Sequence, residues 1–149
     1  MHLARELMAT QKPPALHSAA DVAALITPLL FGDELEAVWI IGVDAGGHPI
    51  ETTCVALGTA NAVAVLPKDV FSVLLRVGAT AGFLVHTHPF GEAHASPADL
   101  LALRQLVAVG DLIGIPISDM VVVAPDGYCS ALEQWMERAE IDELAQAVP

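Results

Sequence analysis

One segment constrains this chain more than any other: Gly82–His86, His88-Pro89, and then Ser96-Pro97-Ala98-Asp99. Gly82–His86 is a short apolar run with strand character. Ser96-Pro97-Ala98-Asp99 has the marks of a helix start, with a capping hydroxyl, a proline at the first position and an acid at the third. The fold must therefore carry a strand that gives way, through the polar loop Thr87–Ala95, to a helix running back beside it. In extended backbone, residues i and i+2 point to the same side. His86 and His88 thus offer two imidazoles to one point, and Pro89 biases His88 toward extended geometry.

The rest of the chain supplies the frame. Residues 1–17, broken by Pro13 and Pro14, read as a loose leader, and residues 18–149 as a single domain. Ser18 with Asp21 predicts a helix start, with Val22, Leu25, Ile26 and Leu29 as its apolar face and Pro28 bending or ending it. Leu35–Val43 reads as a strand. Asp44-Ala45-Gly46-Gly47 reads as a hairpin turn into Ile50–Leu57, and Ala62–Leu66 as a short third strand. Pro67 opens a helix with Val70, Leu74 and Val77 on one face and Gly78 as its stop. After Asp99, Leu100, Leu103 and Val107 form a stripe that Gly110 is expected to end. Ile115–Ala124 is a strand, Pro125-Asp126-Gly127 a turn and Tyr128-Cys129 a short return. Ser130 with Glu133 predicts a capping box for a last helix reaching about Ala147. This order predicts an α/β (α+β) sandwich around one sheet.

The bulk composition fits one core: 149 residues, 54% hydrophobic and 16% charged. No stretch reaches the roughly 18 uncharged residues that a membrane helix needs. The start of the chain lacks the apolar segment of a secretory signal, so a cytoplasmic protein without membrane association is expected. The formal net charge of −12, from 6 basic and 18 acidic residues, disfavours a nucleic-acid partner. Cys54 and Cys129 read as buried thiols.

Asp99, in the first turn of its helix, can fold back toward the two imidazoles. Two histidines and a carboxylate with a fourth position left open have the composition of a catalytic zinc site. Such an ion lowers the pKa of its water to about 7, and the proton needs an acceptor. Glu36, the single acid at the start of the apolar strand Ala37–Val43, is the candidate. Ser96 offers a hydroxyl to a developing oxyanion, although capping alone also explains it, just as the helix dipole explains Asp99. Thr87, Phe90 and His94 are candidates to touch substrate. His2, His17 and His48 read as surface residues, and Trp39 and Trp135 as core.

At these residues the sequence resembles the JAMM (MPN+) metallopeptidases, and among them the RadC-like branch. Their pattern is an upstream Glu, then His-x-His-Pro, then Ser-x-x-Asp; here it is Glu36, His86-Thr87-His88-Pro89 and Ser96-Pro97-Ala98-Asp99. The likeness extends over about residues 18–132, through Leu35–Asp44, Gly58-Thr59, Pro67–Phe71 and Leu112–Val123 with Ser130. It implies an MPN/JAB-like mixed sheet flanked by helices, with cytidine-deaminase-like layering. It also implies one Zn²⁺ held by His86, His88 and Asp99, Glu36 as general acid/base and Ser96 as oxyanion donor. The implied substrates are peptides or ubiquitin-like proteins. Three positions depart from the branch: Thr87 stands for an asparagine, Phe90 for a small polar residue, and Met120 follows Asp119 where the branch has a histidine.

Two further readings stay open. One is a non-catalytic MPN scaffold. The other is a RadC-like factor in DNA-repair or stress-related assemblies, which the charge disfavours. A zinc deaminase does not fit, because its Pro-Cys-x-x-Cys ligand pair is missing. Exposed edge strands make a homodimer reasonable.

Overall fold

The computed structural model describes residues 12–30, 35–58 and 65–147. Its centre is a five-stranded mixed sheet in the order β2-β1-β3-β4-β5, formed by β1 (Ala37–Val43), β2 (Pro49–Leu57), β3 (Ala81–Thr87), β4 (Ile117–Ala124) and β5 (Gly127–Ser130). Only β3 and β4 run parallel; every other neighbour pair is antiparallel. Antiparallel neighbours need only a turn, whereas the parallel pair needs a crossover. Helix α3 (Pro97–Ile113) is that crossover.

Helices cover both faces. Val22 and Ile26 of α1 (Ala19–Ile26) pack on Ile41, Val43, Phe83, Val85 and Val121. On the opposite face, α2 (Pro67–Arg76), α3 and the start of α4 (Ala131–Gln146) bury Val38, Ile40, Leu84, Met120 and Val122. The central strand β3 is buried from Gly82 to Thr87, as expected of a strand covered on both sides.

Several expectations shift. The stretch before residue 18 is not loose throughout. Leu16 is buried, its amide donates to the Gly47 carbonyl at 2.8 Å, and Lys12 pairs with Asp44 at 3.1 Å. Helix α1 stops at Ile26 and tightens into a 3-10 turn, Thr27–Leu30, so Leu29 is exposed rather than packed. Most of the third strand expected at Ala62–Leu66 lies outside the described residues, and Val65 and Leu66 are not in a strand. Cys54 and Cys129 are half-buried rather than buried.

Gly110 does not end α3. It sits inside the helix because a Cβ there would stand 2.5 Å from the Ile115 carbonyl oxygen; Gly114, at φ +87°, is the true left-handed cap. Ser130 caps α4 on one side only. Its hydroxyl accepts from the Glu133 amide and donates to Asp119 Oδ2 on β4. Asp119 Oδ1 in turn accepts from the amides of Met120 and Leu132, so this buried acid splices β4 to the start of α4. No described helix is long and apolar enough to cross a membrane.

Candidate metal centre

The end of β3 and the start of α3 meet on the α3 face of the sheet. Extended backbone continues past β3, since the His88 amide donates to the Val123 carbonyl at 2.8 Å. His86 and His88 therefore share a side, their rings edge to face with centroids 4.5 Å apart. From α3, a reciprocal capping box presents the third group. Ser96 Oγ accepts from the Asp99 amide at 3.1 Å and Asp99 Oδ2 from the Ser96 amide at 2.9 Å. The cap that starts the helix thus also fixes the carboxylate.

Asp99 Oδ1 lies 2.8 Å from His86 Nδ1, and Asp99 Oδ2 lies 3.5 Å from His88 Nε2. The two imidazole nitrogens are 3.3 Å apart. Donors placed about 2.0–2.1 Å from one tetrahedral ion stand about 3.3–3.4 Å from each other; the nitrogen pair at 3.3 Å matches that spacing, while the 2.8 Å His86–Asp99 contact is a hydrogen bond that an ion would have to open. The three residues form a cluster whose ligand atoms all lie within 4.8 Å of one another.

The surroundings prepare these donors. His88 Nδ1–H donates to the Glu92 carbonyl at 3.1 Å, which turns Nε2 toward Asp99 and His86. Burial pushes the Asp99 carboxyl up, but hydrogen bonds from His86, His88 and the Ser96 amide outweigh it and hold Asp99 well below the ordinary 3.8. The Asp99 hydrogen bond raises His88 above 6.5 against the effect of burial. The Glu92 carbonyl and the charges of Asp99 and Glu36 add to the rise. Burial raises the Cys129 thiol above 9.0, so it remains protonated and is a poor metal donor.

Glu36 stands one residue before β1, near enough for its charge to raise His88. Its neighbour Ala37 donates its amide to Thr87 Oγ1 at 2.8 Å, and the Glu36 carbonyl accepts from the Gly58 amide at 2.6 Å. The next residue, Val38, pairs with His86. Glu36 Oε2 and His86 Nε2 are both buried with no hydrogen-bond partner among the described residues. Buried polar atoms left unpaired are costly and point to a ligand.

The other candidates separate. The Thr87 hydroxyl turns to the opposite face, where it ties β3 to β1 rather than lining the centre. Phe90 is 84% exposed on the loop. His94 is exposed, with Nε2 3.4 Å from Gln134 Nε2. The sequence reading missed two residues that hold the loop. Gln134 on α4 clasps the buried Ala95 peptide from both sides, donating to its carbonyl at 2.8 Å and accepting from its amide at 3.0 Å. Asp126, in the β4–β5 turn, accepts from the Ala93 amide at 2.9 Å. Neither residue type signals such a role in sequence.

Comparison with known proteins agrees with this architecture. Residues 16–136 match the RadC-like JAB domain. A UPF0758 protein of Symbiobacterium thermophilum is 34% identical over 113 residues, covering 76% of this chain and 48% of its own length. One of Trichormus variabilis is 31% identical over 122 residues, covering 82% of this chain and 50% of its own length. One of Rubrobacter xylanophilus is 30% identical over 138 residues, covering 91% and 60%. The chain therefore spans about half the length of these curated relatives. With its mixed sheet, its flanking helices and a possible metal-binding triad at the β3–α3 junction, this chain belongs to the RadC-like JAB domain family.

Proposed function

We propose that the chain is a zinc-dependent hydrolase of peptide or isopeptide bonds that acts in the cytoplasm on a peptide or a ubiquitin-like protein. The observation that supports this most is the pairing of the donor triangle with the buried, unpartnered Glu36 carboxylate oxygen, whose charge reaches His88. Zn²⁺ held by His86, His88 and Asp99 would polarise the scissile carbonyl and acidify the attacking water. Glu36 then takes the proton and returns it to the departing amine. Ser96 Oγ accepts from the Asp99 amide, so its own proton is free for the oxygen of the substrate carbonyl.

The test is cleavage of a peptide and of a ubiquitin-like fusion by zinc-loaded protein. Glu36→Gln should slow it roughly 10²–10⁴-fold while zinc content stays constant. Cleavage that survives this substitution unchanged sinks the mechanism.

A second reading, a RadC-like factor without peptidase activity or an MPN scaffold, rests on the match to the RadC-like JAB domain and on relatives whose names, UPF0758 proteins, state no activity. Failure to take up added zinc would favour it. Salt-dependent DNA binding at physiological ionic strength would revive a nucleic-acid role against the −12 charge. Among the described residues β2 and β5 are the edge strands of the sheet, which supports a homodimer that sedimentation would test.

A further inference from the structure

Helices α3 and α4 enclose a groove of about 360 Å³ whose lining includes Pro97, Leu101, Arg104, Trp135, Arg138 and Asp142. Two of the chain's six basic residues stand here. Acidic side chains are plentiful on α4, and Asp142 lies four positions beyond Arg138. Yet among the described residues neither Arg104 nor Arg138 forms an ion pair. Instead, the Arg104 guanidinium is held over the Trp135 ring, 5.7 Å from its centroid. A guanidinium held over a ring by cation–π attraction, with no carboxylate partner, has N–H donors left for a planar anion.

From these residues we propose that the α3–α4 groove binds a single acidic side chain, Glu or Asp, of an extended peptide segment. This deepens the peptidase reading and rests on it for the identity of the segment as substrate. The groove begins at Pro97, the residue after Ser96 and in the same first turn as Asp99. Arg104 lies seven residues further along α3, about 10 Å at 1.5 Å per residue. About three residues of extended peptide cover that span. A substrate lying across the metal centre would thus seat an acidic residue a few positions from the bond that is cut. Two arginines and Asp142 give the lining a net charge of +1, which suits one carboxylate rather than a run of phosphates. Leu101 and Pro97 supply apolar contact for the stem of that residue, so both parts of a Glu side chain find a surface.

Trp135 makes the groove readable. In the metal-free 149-residue chain carrying Trp39→Phe, Trp135 is the remaining tryptophan, because the chain has two. The probes are an eight-residue Ala/Gly peptide with one central Glu and its Gln counterpart. The Glu peptide should shift the Trp135 emission saturably and bind at least roughly tenfold more tightly than the Gln peptide. Arg138→Ala should abolish that preference. Arg104→Lys, which keeps the charge but lacks the fork, should weaken it. Equal binding of the two peptides, no saturable change up to millimolar Glu peptide, or indifference to both substitutions overturns the proposal. So does a single-stranded oligonucleotide that binds more tightly than the Glu peptide. Because binding is read without turnover, a Glu preference in a protein that cleaves nothing would leave the groove standing and remove the peptidase reading. Cleavage with no Glu preference would do the reverse.

Discussion

His86 and Asp99, thirteen positions apart, meet at 2.8 Å with 2% and 0% of their side-chain surfaces exposed. Asp99 is at once a candidate donor and the reciprocal cap of α3. Asp99→Asn keeps an oxygen for the Ser96 amide but loses the charge. Zinc affinity, measured by titration against a competing chelator, should fall by more than the roughly 10–100-fold that loss of an outer-shell partner costs. An unchanged affinity would remove Asp99 from the donor set.

Gln134→Ala should loosen the metal loop from a distance. It leaves the buried Ala95 amide and carbonyl unpaired, each at a cost of about 1–3 kcal/mol. The expected signs are faster hydrogen exchange at Ala95 and a severalfold weaker zinc affinity, because the loop carries the Glu92 carbonyl that orients His88. If exchange quickens and affinity holds, the clasp serves stability alone.

Asp119 gives a pH dependence of defined sign. Burial raises its carboxyl above 3.8, against hydrogen bonds from Ser130, Leu132 and Met120. A raised acid favours the protonated folded state. Its contribution is therefore complete below about 3.8 and is lost as pH climbs through the raised value. Asp119→Asn keeps an oxygen for both amides, and the Ser130 hydroxyl can reverse its role. Chemical denaturation from pH 4 to 7 should show wild type losing stability relative to Asp119→Asn as pH increases. A constant difference would refute the assignment.

Gly110→Ala should destabilise the fold by about 1–3 kcal/mol, although alanine is the better helix former by about 1 kcal/mol. The new methyl would meet the Ile115 carbonyl at 2.5 Å, and that atom is backbone. Thermal or urea unfolding reads this directly, and a neutral or stabilising result would contradict the packing described here.

The parts of the fold that were legible in sequence share a cause, which is short-range periodicity. His86 and His88 share a side because strands alternate, and Asp99 caps its helix because Ser-Pro-x-Asp does so locally. The Glu36 strand stood out as a lone acid before an apolar run. Its approach to the centre, however, depends on the pairing of Val38 with His86, which no local pattern encodes. The misreadings have the same origin. Gly110 looked like a helix stop, but a tertiary clearance demands it. Leu29 looked packed on a helical face, but the chain had already turned. Leu16 and Gln134 gain their places only from partners far along the chain, at Gly47 and Ala95.

That long-range register has a practical consequence. The three candidate metal donors sit on one contiguous strand–loop–helix piece, whereas Glu36, the carboxylate proposed to handle the proton, arrives beside a separate strand held by Thr87. Under the proposed function, metal loading and turnover would thus be separable. A measurement of bound ion reports on the first piece and is blind to the second, so an inert preparation can look fully charged.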